Sequence, residues 1–259
     1  MDLGIHGHKA IVCASSQGLG YACALALARE GCEIVLNARH EQRLQAAAQA
    51  LRDETGAVVS AVAADLCTEE GRARLLAACP APDILINNNA GPPPGKLADW
   101  DHAAWLGALE SNLLAAALLM RAVIPGMRAR RFGRIVNISS AMVKSPHPAM
   151  GLSAAARAGL TALAKALSRD AVADNVTINN LLPERIDTPR QEFMAKRLMR
   201  EQGIGRDEAR RQIVATIPAG RFGRPDEFGA ACAFFCASQA GSITGQNLQL
   251  DGGAYEGLV

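Results

Sequence analysis

The stretch Cys13-Ala14-Ser15-Ser16-Gln17-Gly18-Leu19-Gly20 has the composition of a phosphate cradle. Small residues let a diphosphate come close to the backbone. A helix that follows offers unpaired N–H groups and the positive end of its dipole. Gly18 and Gly20 lack the Cβ that would obstruct the ligand or hold the helix off the strand. Ala14, Ser15, Ser16, Gly18, Leu19 and Gly20 are therefore the expected dinucleotide contacts of this turn. Ala14 stands where a first glycine is usual and is accommodated if its φ is negative. Further on, Asn37-Ala38-Arg39 replaces the acidic residue that would hold both ribose hydroxyls. A guanidinium there can take a 2′-phosphate in two hydrogen bonds, which favours NADP over NAD; the alternative is an ordinary surface arginine. Asp65-Leu66 follows the third apolar run, where the carboxylate can accept from an adenine amino group or cap the helix starting near Thr68. Asn87, Asn88 and Asn89 lead into Ala90 and Gly91. Three amides after a strand are costly to bury unless they bond ligand or backbone, and they can equally tie adjacent strands together. Ser139 and Ser140 end another apolar run with hydroxyls.

The elements that must position these groups alternate. Apolar runs at Ala10–Cys13, Glu33–Ala38, Val58–Ala64, Ile84–Ile86, Arg134–Ser140, Val176–Leu182 and Leu248–Leu250 read as strands. Helical spacing covers Tyr21–Arg29, Glu41–Glu54, Glu69–Ala78, a long span within Trp100–Arg130, Gly151–Ala173 and a last helix from Pro225 to Cys236. Pro125 is expected to kink or end the long helix. This order predicts one α/β domain over 1–259, a doubly wound parallel sheet (Rossmann fold) of about seven strands with helices on both faces. Glu184–Thr216 is polar, charged and partly helical, and reads as a mobile substrate lid.

Composition narrows the function. A net charge of +2 gives no electrostatic reason for nucleic acid or an anionic membrane. The arginines at 128–131 and 206–211 read as solvated helix faces. Seven cysteines without a C-x-x-C pattern read as reduced core residues. Met1–Lys9 lacks the apolar core of a signal peptide, and the most apolar window, Leu113–Met120, is too short for a bilayer. A cytoplasmic protein is expected. The leucines of the long helix exceed what one sheet face needs, so a homodimer or homotetramer is expected as well.

Over nearly its whole length the chain resembles the short-chain dehydrogenase/reductase family, and its bacterial 3-oxoacyl-acyl-carrier-protein reductases in particular. The glycine turn resembles the family fingerprint, with Ala14 for a glycine. Asn88-Asn89-Ala90-Gly91 resembles its Asn-Asn-Ala-Gly, although an ungapped register from Ile84 sets Asn87 and Asn88 on the two asparagines. Asn137-Ile138-Ser139-Ser140 resembles the strand that ends in the catalytic serine, and Asn112 the helix asparagine that orders a relay water. Pro183-Glu184-Arg185-Ile186-Asp187-Thr188 resembles the segment that touches the nicotinamide through Pro183, Ile186 and Thr188, with Glu184 for its glycine. The family's Tyr and Lys are missing: the resemblance aligns Ser153 with the Tyr and Arg157 with the Lys. It implies a catalytic set of Ser140, Asn112, Ser153 and Arg157 acting on a small carbonyl or alcohol substrate with NADP.

A serine hydroxyl is a far weaker acid than a phenol, whereas Arg157 stays charged and can polarise an oxygen. Losing a positioned general acid removes about 10²–10⁴ in rate. Lys144, His147 and Tyr255 are candidate substitutes. Two functions compete: a carbonyl reductase with a modified site, and a nucleotide-binding sensor or assembly subunit without turnover. A methyltransferase with a similar glycine turn is disfavoured by the serines after Ile138.

Overall fold

The computed structural model describes residues 2–258. The strands are β1 (Lys9–Val12), β2 (Glu33–Ala38), β3 (Val59–Ala63), β4 (Ile84–Asn87), β5 (Gly133–Ile138), β6 (Val176–Pro183) and β7 (Asn247–Leu250). All pair in parallel, in the order β3-β2-β1-β4-β5-β6-β7. Both faces of such a sheet are covered, so its strands run as continuous apolar residues. Alternate residues serve opposite layers. Ala10, Val12, Ile84 and Ile86 pack with α1 (Gly18–Arg29), α2 (Glu41–Thr55) and α9 (Pro225–Cys236) through Leu27, Leu44 and Phe228. Ile11, Cys13 and Leu85 face the other layer. There they meet α3 (Glu69–Ala78), α5 (Ala115–Arg130) and α6 (Gly151–Ala171) through Leu75, Leu119, Met120 and Leu160.

The strand order reverses between β1 and β4. The turn after β1 and the loop after β4 therefore splay apart and open a crevice at the C-terminal ends of the strands. Beyond β6, α7 (Pro189–Gln202) and α8 (Arg206–Ala215) pack mainly on each other around Ala195, Ala209 and Ile213.

Two expectations about the long helix are corrected. α4 (His102–Leu109), a π turn over Glu110–Leu114 and α5 run on as one helix, and α5 continues through Pro125 to Arg130 instead of ending there. The apolar span is also longer than Leu113–Met120. The helix His102–Arg130 has 29 residues and a mean hydropathy of 1.5, enough to cross a membrane by length and composition. Packing accounts for one apolar face, because Leu119, Met120, Val123 and Met127 are buried against the sheet. Leu106 and Leu114 on the same helix are exposed.

A row of amides crosses four strands just below the crevice. Asn87, Asn137, Asn180 and Asn247 are paired in register. Asn87 Nδ2 donates to Asn137 Oδ1 at 2.9 Å, Asn137 Nδ2 to Asn180 Oδ1 at 3.0 Å, and Asn180 Nδ2 to Asn247 Oδ1 at 2.8 Å. An amide is the neutral side chain that can donate to one neighbour and accept from the other, so the chain of bonds propagates. Asn137→Leu would strand a donor on Asn87 and an acceptor on Asn180, both buried. We expect it to remove about 2–5 kcal/mol of stability, read by denaturant unfolding; a loss below about 1 kcal/mol would show the row to be dispensable.

Candidate active site

The crevice is a cleft of about 990 Å³. Its walls bring together Ala14, Ser16, Gly18 and Leu19 of the turn, Arg39 after β2, and Asp65 and Leu66 after β3. Asn88, Asn89, Ala90 and Gly91 follow β4 in the same wall, Ser140 follows β5, and Pro183, Ile186 and Thr188 lie at the end of β6 and beyond. Ser153 and Arg157 reach it from α6. Three residues expected in the site lie elsewhere. Ser15 is buried: its N–H donates to Asn37 O, and its hydroxyl donates to Val12 O at 2.8 Å. The turn thus uses Ser15 to fasten itself to β2, which leaves it nothing to offer a ligand. Gly20 lies behind the turn. A Cβ there would stand 2.5 Å from Ala14 O and 3.0 Å from Asn88 Nδ2, so this glycine lets α1 pack close. Asn112 lines a separate small cavity.

The turn fits a diphosphate. Gly18 has φ +64°, no protein atom within 3.8 Å of where its Cβ would be, and starts α1 with its N–H groups uncapped by any side chain. Asn88 Nδ2 donates to Ala14 O at 3.3 Å and ties the loop after β4 to the turn. Ala14 contradicts the condition set for it: its φ is +46°, in the left-handed region that favours glycine. The turn geometry is set by its neighbours, and the alanine bears the strain.

At the far end, Arg39, His40 and Arg43 line the cleft, and neither arginine has an ion-pair partner among the described residues. Arg43 was legible in principle, being a cation one turn into the helix that follows Arg39. The helix-cap reading of Asp65 is corrected: Thr68 caps α3, its hydroxyl accepting from Gly71 N at 3.0 Å. Asp65 Oδ1 accepts from Cys67 N in a local turn.

The register of the asparagines resolves into two jobs. β4 pairs without interruption through Asn87, which is the ungapped register. Asn87 serves the sheet, Asn88 the turn, and Asn89 O accepts from Arg157 Nη2 at 3.3 Å.

Arg157 is the centre of the inner wall. It is 8% exposed, and Nη1 donates to Ile138 O at 2.8 Å and Ser139 O at 3.0 Å, while Nε donates to Ser153 Oγ at 3.2 Å. With the bond to Asn89 O, four of its five N–H groups are used; the fifth is on Nη2. A Cβ on Gly91 would lie 3.6 Å from both Arg157 Nη2 and Ser153 Oγ, so these two atoms face the cleft together where this glycine keeps the space clear. Burial, then the charge of Arg190, pulls the guanidinium down to about 10, which still leaves it charged at neutral pH. Ser153 accepts from Arg157, so its own hydroxyl proton is free to donate. Ser140 Oγ accepts from Met142 N at 3.2 Å and likewise keeps its proton for the cleft.

Behind Arg157 lies a cavity of about 20 Å³, lined by Asn87, Asn112 and Arg157 among others. That is room for one water. Asn112 Nδ2 donates to Ala90 O and Ser111 Oγ, whereas the Oδ1 atoms of Asn112 and Asn87 are buried acceptors without protein partners. The π turn places Asn112 here; a regular helix would rotate it elsewhere.

Of the three candidate substitutes for the proton donor, only His147 lines the cleft. Lys144 Nζ donates to Gln249 Oε1 at 3.3 Å and stands 5.2 Å above the Tyr255 ring. Sequence reasoning passed over Glu184 as a chemical group. It lines the cleft, and burial raises its pKa despite the Arg185 guanidinium 3.1 Å away. Arg185 itself has φ +55°, so the segment carries a second strained residue beside the site.

A parallel sheet with a glycine turn at its switch point, and a cleft across it, defines a dinucleotide-binding α/β protein. The model of a family described as Enoyl-(Acyl carrier protein) reductase matches residues 13–255. Over 255 residues the chain is 34% identical to dehydrogenase/reductase SDR family member 4 of Bos taurus, spanning 96% of this chain and 88% of that one. It is 32% identical over 257 residues to the 3-oxoacyl-acyl-carrier-protein reductase of Vibrio cholerae, spanning 98% and 99%. The crystal structure of L-sorbose reductase from Gluconobacter frateurii, complexed with NADPH and L-sorbose, superposes over 100% of both chains with a TM-score of 0.94 at 32% identity. The chain belongs to the short-chain dehydrogenase/reductase family.

The strain at Ala14 yields a prediction. Left-handed φ costs an alanine roughly 1–2 kcal/mol, partly offset in Ala14→Gly by the greater freedom of unfolded glycine. The substitution should therefore raise stability by up to about 1 kcal/mol, seen as a higher melting temperature. A lower melting temperature would mean that the turn is relaxed as it stands.

Proposed function

We propose that the protein is an NADP(H)-dependent carbonyl reductase or alcohol dehydrogenase whose site works with a serine and an arginine in place of the family's Tyr and Lys. The observation that carries this reading is the pair of uncommitted donors, the last N–H of Arg157 and the hydroxyl of Ser153, presented side by side at Gly91. NADP is supported by Arg39 and Arg43 at the ribose end of the cleft and by the NADPH in the related L-sorbose reductase. Once bound, the nicotinamide supplies or accepts the hydride. Everything else falls to the chain. The turn and Asn88 hold the diphosphate end, and Pro183, Ile186 and Thr188 border the ring. Ser140, Ser153 and Arg157 bind the carbonyl oxygen and stabilise negative charge growing on it, as an oxyanion hole does.

The proton is the harder part. Ser153 is too weak an acid to give one up by itself, although its contact with a guanidinium makes it a stronger hydrogen-bond donor. The oxygen of the product would take its proton from water ordered by Asn112, whose Oδ1 and that of Asn87 are buried acceptors without protein partners, or from a substitute acid such as His147 in the cleft wall. Turnover is expected to be slow, by about 10²–10⁴ against a site with a positioned phenol. We further infer that the segment 184–216 closes over the substrate as a lid. The exposed Leu106, Leu114, Phe234 and Leu248 suit contacts in a homodimer or homotetramer, and a cytoplasmic enzyme fits all of this.

The test is NADPH oxidation over a panel of ketones, sugars and 3-oxoacyl thioesters. We expect slow turnover with at least one, and a fall in kcat of about tenfold or more in Ser153→Ala while NADPH affinity holds. NADPH binding without turnover on any substrate would overturn the reading in favour of a nucleotide sensor. Absence of NADPH binding would overturn both.

A further inference from the structure

The substrate half of the cleft is crowded with guanidinium groups, and their partners can be counted. Arg185 stands 3.1 Å from Glu184. Arg197 donates to Glu201 at 2.6 Å. Of the lid arginines outside the cleft, Arg206 pairs with Glu192, Arg210 with Asp187 and Arg211 with Glu208, while Arg200 has no ion-pair partner among the described residues. Among the lid arginines that line the cleft, Arg190 is the exception. It lines the cleft and forms no hydrogen bond or ion pair among the described residues. Its guanidinium lies over the ring of Phe193, with 5.2 Å between guanidinium carbon and ring centroid. That stacking holds the group in one plane at the cleft wall and leaves the edge that carries the N–H donors free.

Charge makes the vacancy of partners costly. Arg190 is solvent-exposed within the cleft, yet the protein around it desolvates the guanidinium enough to lower its pKa, and Arg197 adds repulsion. Its field also reaches Arg157, which is buried and bonded only to neutral carbonyls and a hydroxyl. Two guanidinium groups without a carboxylate therefore face the same space. Arg39 and Arg43 cannot be served by the same anion, since they stand at the opposite end, beside Ala38 and Ala64. The lid side of the cleft adds apolar side chains, Phe193, Met194, Leu198 and Ile213, beside the polar Gln191, Glu201 and Gln212.

We propose that Arg190 anchors a carboxylate on the substrate, so that the cleft takes an oxo acid, or the matching hydroxy acid, with a short apolar body. This rests on the reading of the protein as a carbonyl reductase. The fork of a guanidinium matches a carboxylate in two parallel bonds. The apolar side chains take the body, and the carbonyl to be reduced meets Ser153 and the free N–H of Arg157. The diphosphate of the cofactor is the other anion that could reach the lid, and the test separates the two.

Two substrates are compared, 3-oxohexanoate and its methyl ester, in the wild type and in Arg190→Gln. The ratio of kcat/KM for the acid over the ester should fall about 10- to 100-fold in the variant, the size of a lost charged hydrogen bond. NADPH affinity, read by fluorescence titration, should hold. An unchanged ratio, or a fall confined to NADPH affinity, overturns the proposal, the latter because it assigns Arg190 to the diphosphate. Direct binding keeps the question apart from turnover. Hexanoate should raise the melting temperature of the wild type more than methyl hexanoate does, and Arg190→Gln should abolish the difference. If neither acid nor ester is turned over, the carbonyl reductase reading is still judged on the wider panel, while this shift decides whether Arg190 holds a carboxylate.

Discussion

The row of amides through Asn87, Asn137, Asn180 and Asn247 is the constraint on which the site rests. Parallel strands do not share tight turns, so nothing local fixes one against the next. A side-chain bond across each pair does so at the level where the strands end. Slippage by one residue would send every amide into an apolar layer and every core residue to the wrong face. Because the strand ends are aligned, the loops that follow β4, β5 and β6 leave the sheet at one height and converge. The cleft is the result of that convergence.

Above this row, one buried guanidinium does the joining. Arg157 draws together the end of β5, the loop after β4 and the first turns of α6 through bonds to Ile138 O, Ser139 O, Asn89 O and Ser153 Oγ. A lysine has three donors and a flexible stem; the planar fork of arginine reaches more fixed carbonyls at once. The same geometry limits the chemistry. A phenol held by an ammonium can give up a proton near neutral pH, and a serine held by a guanidinium cannot do so readily. The arrangement is stronger in binding a negative oxygen than in protonating it. Which of these a substrate needs most sets how well the site works.

Strain gathers at the same place. Ala14 and Arg185, both with positive φ, flank the cleft on the turn after β1 and the segment after β6. Each is a residue type ill suited to its backbone, held there by surrounding structure. Glu184, with its pKa raised by burial, lies beside the second of them. The cleft thus carries charge that the fold does not neutralise by itself, cationic at Arg39 and Arg43, at Arg157 and at Arg190. A site of this kind is completed by anions.

Much of this was legible in the chain. The alternation of apolar runs and helical spacing is local, and it was enough for the order of elements, the parallel sheet and the crevice beside Gly18. The glycine turn and Arg39 were also visible, because each depends on residue type at a short spacing, whereas Ser153 and Arg157 stood out only through the resemblance to the family. Other features were not. Ser15 looks like a ligand in sequence and turns inward to Asn37, a partner 22 residues away. Nothing near Pro125 announces that packing on the sheet carries the helix past it, and nothing near Ala14 announces its φ. Asn180 and Asn247 become a row with Asn87 only when four strands lie side by side, and Arg190 stands out only when the other lid arginines that line the cleft, Arg185 and Arg197, have found their carboxylates. The sequence by itself determined the elements and the chemical groups, since these follow from periodicity and side-chain type. The tertiary structure decided which groups meet, which turn away and which charge is left over, since those depend on contacts between residues far apart in the chain.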